Sequence, residues 1–170
     1  MLQIIPPESF FKSKQAKVNE DLTALWQEDG WACYYDGLFW TVDPREFSEL
    51  YKDWKIIPRS AMIFGRNAFG ELFVLDNDEI FFLSIQANLL LSLGKNMHIF
   101  LNSTLEPDPD DSILDLRLFK AVRKRLGDLE VDECYGLFPA LALGGNDEDS
   151  ESYKRAKLFE YLAIIAQIHS

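Results

Sequence analysis

Two runs of carboxylates are the residues of this chain whose type and spacing suit them to chemistry. Asp108, Asp110 and Asp111 lie in the proline-broken stretch 106–111, and Asp147, Glu148 and Asp149 follow the pair Gly144-Gly145. Carboxylates this dense can ligate a hard cation, share a proton, or attract a basic partner. A calcium loop requires a glycine at its sixth position and a glutamate at its twelfth; the first run has neither and is broken by Pro107 and Pro109. It reads as a solvated loop. A glycosidase-like pair would have to stand out from the other carboxylates, and nothing in the sequence singles one out.

The remaining reactive types are sparse. His98 and His169 are far apart, and neither has a partner at ligand spacing. Cys134 sits between Glu133 and Tyr135, and an acidic neighbour opposes a thiolate. Cys33 stands among aromatics and reads as core. Neither a nucleophile elbow nor a metalloprotease helix motif occurs. Gly144-Gly145 could bare backbone N–H groups to an anion, but Asp147, Glu148 and Asp149 fill that approach with negative charge and no Walker lysine follows. The glycines read as a turn after a strand. The expectation is a chain with no catalytic set, no metal and no cofactor.

Composition narrows the partners. A formal charge of −11 over 170 residues disfavours direct binding to nucleic acid or to an anionic membrane, and it suits either solubility alone or a basic protein partner. Aromatics at 14% argue against disorder. Two cysteines are too few for a disulfide framework, and Met1–Ile5 runs straight into Pro6-Pro7 without the pattern of a signal peptide. The chain reads as cytoplasmic, with reduced thiols and no membrane span. Its oligomeric state is left open.

The elements that must position these residues are legible from periodicity. A short helix is expected over Ser9–Gln15, then one capped by Asn19, with Leu22, Leu25 and Trp26 inward and Gly30 as its stop. Asp36-Gly37 breaks the aromatic stretch 31–42 as a tight turn before a strand at Leu38–Thr41. Asp43-Pro44-Arg45-Glu46 predicts a helix carrying Phe47, Leu50, Tyr51 and Trp54 on one face. Strands are expected over Ala61–Phe64, Glu71–Leu75, Ile80–Ile85 and Asn88–Leu93, then helices over Met97–Leu105 and Leu114–Leu126. A strand at Tyr135–Leu143 and a helix at Ser152–Gln167 close the chain. The fold class is therefore α+β: an antiparallel meander of about five strands with N-terminal and C-terminal helices packed on it. Of the aromatics before the 43–54 segment, Phe39 and Trp40 read as core, while Tyr34 and Tyr35, close to a turn, are candidates for an interface.

Asp36-Gly37-Leu38-Phe39-Trp40, followed by Asp43-Pro44 and the Phe47/Trp54 segment, resembles the GAD-like domain of bacterial immunity proteins. Ala68-Phe69-Gly70-Glu71-Leu72-Phe73, Glu133-Cys134-Tyr135-Gly136 with Pro139–Gly145, and the terminal Tyr161–Gln167 helix resemble its companion. That companion is the C-terminal domain of the type VI secretion DNase-immunity family. Together these blocks span nearly the whole chain. The resemblance implies a single compact domain over 1–170, with a GAD-like segment at 1–55 and the immunity C-terminal segment at 56–170. It also implies a cytoplasmic protein that binds a cognate secreted toxin, a type VI DNase effector, and blocks its basic groove without catalysis. The alternative is an acidic interaction or regulatory module with a non-nuclease partner.

The matching blocks are glycines, prolines and apolar residues, so they carry fold rather than contacts. Charge then selects the partner-binding candidates: Asp108, Asp110, Asp111, Asp147, Glu148 and Asp149 to steer, with Tyr34 and Tyr35 as anchors.

Overall fold

The computed structural model describes residues 3–110 and 113–170. The chain opens with β1 (Gln3–Ile4), α1 (Glu8–Phe11), a 3-10 turn at Gln15–Lys17 and α2 (Glu20–Asp29), so the helix expected over Ser9–Gln15 is two short pieces. Asn19 caps α2 as expected, its side chain accepting from the Leu22 N–H at 3.1 Å. Gly30 ends the helix at φ +69, where a Cβ would stand 2.4 Å from the Ile4 carbonyl oxygen. Only glycine fits that close approach.

Six further strands follow: β2 (Trp31–Tyr34), β3 (Phe39–Thr41), β4 (Met62–Asn67), β5 (Leu72–Asp76), β6 (Glu79–Ser84) and β7 (Leu89–Ser92). With β1 they form one sheet of seven strands in sequence order, every pair antiparallel. The meander expected from the sequence is there with more strands than the five or so expected. A two-residue strand such as β1 is too short to show any period.

Strand alternation explains the core. Phe64, Phe73 and Phe82 point to one face of the sheet, into a cluster with Leu22 and Trp26 of α2 and with Phe100, Phe119 and Val122. Ile63, Leu72, Val74 and Leu83 point to the other face, into a cluster with Trp54, Tyr161, Leu162 and Ile165. The sheet is thus buried on both sides, and each cluster draws on both halves of the chain. At about 25 cal/mol per Å² of apolar surface, clusters of this kind dominate the stabilising side of the folding balance.

The second half begins with α3 (Met97–Ile99), which runs into a π-helical turn at Phe100–Thr104. Asn96 caps it, accepting from the Ile99 N–H at 2.9 Å. Then come α4 (Leu116–Leu126), β8 (Glu133–Leu137), β9 (Tyr153–Lys157) and α5 (Leu158–His169). Strands β8 and β9 form a separate antiparallel pair.

Three expectations are corrected. The segment from Asp43 is a series of tight turns ending in a 3-10 helix at Ser48–Lys52, not an α-helix. Its bonds run from residue i to i−3, as in Glu46 N–H to the Asp43 carbonyl and Leu50 N–H to the Phe47 carbonyl. The Asp43 carboxylate is turned to Arg45, accepting from its backbone N–H at 3.0 Å and from its guanidinium at 2.7 Å. Phe47, Leu50 and Trp54 are buried nonetheless.

The strand expected over 135–143 ends at Leu137. Beyond it a cis Phe138–Pro139 bond leads into a 3-10 turn at Leu141–Leu143. The helix expected over 152–167 begins only at Leu158, because Tyr153–Lys157 is β9. Tyr-Lys-Arg-Ala-Lys has good helix propensity, but tertiary pairing overrides it: Arg155 reaches Glu133 at 2.5 Å and Lys157 reaches Asp132 at 2.8 Å across the β8–β9 pair.

Candidate partner-binding site

The structure places the sequence-selected residues in three patches. Asp108 and Asp110 lie exposed on the 106–110 loop; Asp108 accepts from the Asp110 N–H at 2.9 Å and Asp110 pairs with Arg117 at 3.2 Å. Asp111 lies outside the described residues. Asp147, Glu148 and Asp149 are exposed on the loop after Gly145. Tyr34 and Tyr35 line a groove elsewhere, while Asp108 borders one cavity and Asp147 and Glu148 border another.

The 146–149 loop is the more tightly built. Asn146 accepts from the Glu148 N–H at 3.1 Å, and Asp149 accepts from the Glu151 N–H at 3.0 Å and the Ser152 hydroxyl at 3.2 Å. The Tyr153 hydroxyl donates to the Asp147 carbonyl at 2.8 Å. Gly145 lets the chain leave, since a Cβ there would stand 2.0 Å from the Pro139 carbonyl oxygen. The guanidinium of Arg125 donates to the Ser150 and Tyr153 carbonyls at 2.6 Å each.

Arg125 belongs to a pattern that the sequence did not reveal. Arg117 of α4 reaches Asp110, Arg123 reaches Asp36 at 3.4 Å and Asp128 at 2.7 Å, and Arg125 holds the 150–153 segment. Arginines of one helix thereby tether the 106–110 loop, the 35–37 turn and the exit of the 146–149 loop. In the sequence they read only as the outward face of a helix.

Asp147 and Glu148 also border a cavity of 320 Å³ with Phe69, Glu71, Asp115 and Tyr153. The sequence marks Glu71 only as the start of a strand and as a member of the Ala68–Phe73 block. Its carboxylate accepts from the Ile85 N–H, and burial, reinforced by Asp147, pushes its pKa up to about 8 against that hydrogen bond. A carboxyl so placed is largely protonated at neutral pH. Cys134 is pushed up to about 12, by burial first and by Glu133 only in third place. Burial, more than the acidic neighbour, keeps this thiol protonated.

Arg66 is 1% exposed and has no carboxylate within ion-pairing distance among the described residues. It stacks on Trp40 at 4.4 Å and donates to the Val131 carbonyl at 3.0 Å and the Asn67 carbonyl at 3.3 Å. Burial lowers its pKa to about 10, so it stays cationic at neutral pH. It ties the approach to β8 onto the sheet, which is a structural task.

The groove at Tyr34 and Tyr35 has a volume of 310 Å³ and lies between α2, the turn after β2, and the 97–105 segment. Ala24, Leu25, Phe39, Leu101 and Leu105 supply apolar lining; Asp21 and Glu28 supply charge. The Tyr34 hydroxyl donates to Asp29 at 2.8 Å, and burial together with that carboxylate raises its pKa, so the phenol stays protonated. Tyr35 is 45% exposed. Phe39 and Trp40 are core as expected, one on each face of a sheet that is buried on both sides. Among the described residues no group of three or more His, Cys, Asp or Glu side chains is arranged to hold a metal ion, and no helix is long and apolar enough to cross a membrane.

Comparison with known proteins places this architecture. The crystal structure of Atu4351 from Agrobacterium tumefaciens superimposes with a TM-score of 0.73, covering 97% of this chain and 82% of that one at 16% identity. At that identity the likeness is one of fold. No curated protein matches the sequence. Residues 2–89 match the family model of the GAD-like domain, and residues 94–169 match that of the T6SS immunity protein Tdi1, C-terminal. The Ala68–Phe73 block, which the sequence resemblance grouped with the companion domain, falls within the GAD-like match. With the first model covering more than half of its length and the second most of the remainder, the chain belongs to the type VI secretion immunity family in which a GAD-like domain precedes a Tdi1-type C-terminal domain.

Proposed function

We propose that this protein is a cytoplasmic immunity protein that binds a cognate type VI effector, a basic nuclease, and neutralises it by covering its active-site groove. The observation that carries the reading is the ordered pair of family matches over 2–89 and 94–169. The charge of −11 supports the choice of a basic partner, since opposite potentials steer two proteins together and raise the association rate. Neutralisation of this kind is stoichiometric and needs no catalysis by the inhibitor. The two segments act as one body, because each core cluster contains side chains from both.

The acidic residues Asp108, Asp110, Asp111, Asp147, Glu148 and Asp149 supply the steering field, and Tyr34 and Tyr35 supply buried contact area. Co-purification with the effector encoded next to it, followed by a DNA-degradation assay, tests the function. The expected result is protection that saturates at one immunity protein per effector. Degradation that continues despite excess immunity protein overturns the proposal. Charge reversal at both acidic loops is expected to slow association about tenfold or more at low salt and to flatten its salt dependence.

A further inference from the structure

Resting on that reading, we propose that the groove between α2 and the 97–105 segment is where the effector docks, and that it seats one face of an effector helix with basic residues flanking apolar ones. On α2, Asp21, Ala24, Leu25 and Glu28 fall at i, i+3, i+4 and i+7 and all line the groove. That spacing puts them on one face of the helix, while Leu22 and Trp26 turn to the core. The stripe therefore reads carboxylate, apolar, apolar, carboxylate, with its ends about 10 Å apart at 1.5 Å rise per residue. Two turns of a partner helix present lysine or arginine at the same separation, with apolar residues between. The long stems of those cations cover Leu25 and Leu101, and their heads remain at Asp21 and Glu28.

Two backbone features border the same groove. Tyr35 at φ +53 and Asp36 at φ +60 are consecutive non-glycine residues in the left-handed region, an arrangement that persists where the surroundings enforce it and that recurs at ligand-contact sites. Opposite them, Leu101 and Asn102 belong to the π-helical turn at Phe100–Thr104, a form found frequently at functional sites. Tyr35 offers an exposed ring face for a cation. Ile99, 55% exposed, extends the 97–105 segment with apolar surface. The groove is also built jointly: α2 and Tyr35 come from the GAD-like match, Leu101 and Leu105 from the Tdi1-type match.

The test compares Glu28→Lys and Tyr35→Ala with Asp53→Lys, which makes the same change of charge at an exposed position beside the 48–52 helix. Affinity for the purified effector encoded next to this chain is measured by calorimetry at two salt concentrations, and thermal unfolding verifies that each variant folds. The expected result is about tenfold weaker binding for each groove variant, a shallower salt dependence for Glu28→Lys, and less than twofold change for Asp53→Lys. Hydrogen exchange on wild type should show effector-induced protection over 20–29 and 97–105. Groove variants that bind within twofold of wild type, or protection confined to other segments, overturn the groove while leaving the immunity reading intact. Wild-type protein that does not bind the effector overturns both.

Discussion

Residues 106–110 and 146–149 are two exposed loops with three carboxylates each, and in sequence they look interchangeable. In the structure they are not. The first is tied to α4 through Asp110–Arg117, a pair whose side chains are 87% and 76% exposed; such pairs contribute about 0–1 kcal/mol. The second is fixed at its start by Gly145, within by the Asn146 and Asp149 side chains, and at its exit by Tyr153 and Arg125. The first loop adds one internal bond, Asp110 N–H to Asp108 at 2.9 Å, so among the described residues equal charge comes with unequal tethering. A loop already held in place loses less conformational entropy on binding, so its charges convert more fully into affinity. On the proposed reading both loops supply long-range attraction, and the second holds its charges in the more closely bonded geometry among the described residues.

The largest way to break that contrast is at Gly145. Gly145→Ala drives a Cβ into the Pro139 backbone and should cost about 3 kcal/mol or more in urea unfolding, by forcing the loop's origin to shift. Next is Glu71, beside Asp147. Its folded pKa of about 8 lies above the ordinary carboxylate value, so the stability it contributes is full below the unfolded pKa near 4.3 and is lost as pH rises through 8. Glu71→Gln should therefore flatten the fall in stability between pH 5 and pH 8, by about 2 kcal/mol after discounting for partial exposure. An unchanged pH profile in that variant would show that the carboxyl titrates normally. Arg125→Ala removes the guanidinium from the Ser150 and Tyr153 carbonyls, the first of which keeps the Tyr153 N–H, and should cost about 1–2 kcal/mol and speed amide exchange at 150–153. Arg117→Ala, the matching change at the first loop, should stay within about 0.5 kcal/mol. Equal effects at Arg117 and Arg125 would remove the distinction between the loops.

What the sequence made legible follows from local rules. Asn19 and Asn96 are readable as caps, Gly30 as a helix stop, and strands β4 to β7 as short runs between turn clusters, because each depends on neighbours a few residues away. The 43–54 segment misled because apolar residues spaced by three suit a 3-10 helix as well as an α-helix. Phe47 and Leu50 differ by three, as do Tyr51 and Trp54, and the aspartate that looked like a cap is engaged by Arg45. Strand β9 was hidden because its lysines and arginine are helix formers whose cross-strand partners lie more than 20 residues earlier, as in Arg155 with Glu133.

The candidate site suffered most from the same limitation. The carboxylate loops are visible as composition, but their tethers from α4 span up to 28 residues of chain, as in Arg125 with Tyr153. Glu71 carried no signal at all, since nothing in its flanking residues reveals that Ile85 and Asp147 will close around it. Tyr34 and Tyr35 were chosen for lying near a turn. The groove they border also needs the face of α2 and the 97–105 segment, which no local pattern joins.

The sheet buried on both faces has a consequence for how the chain is synthesised. Strands β1 to β7 pair in the order in which they leave the ribosome, and local pairings form quickly. One face, however, draws part of its cover from far along the chain: Ile63, Leu72, Val74 and Leu83 pack with Tyr161, Leu162 and Ile165 of α5. Until α5 is made, that face has the partial cover of Phe47, Leu50, Trp54 and Ile57 from the same cluster. Docking of α5, made long after the sheet it covers, is therefore what completes the burial of that face.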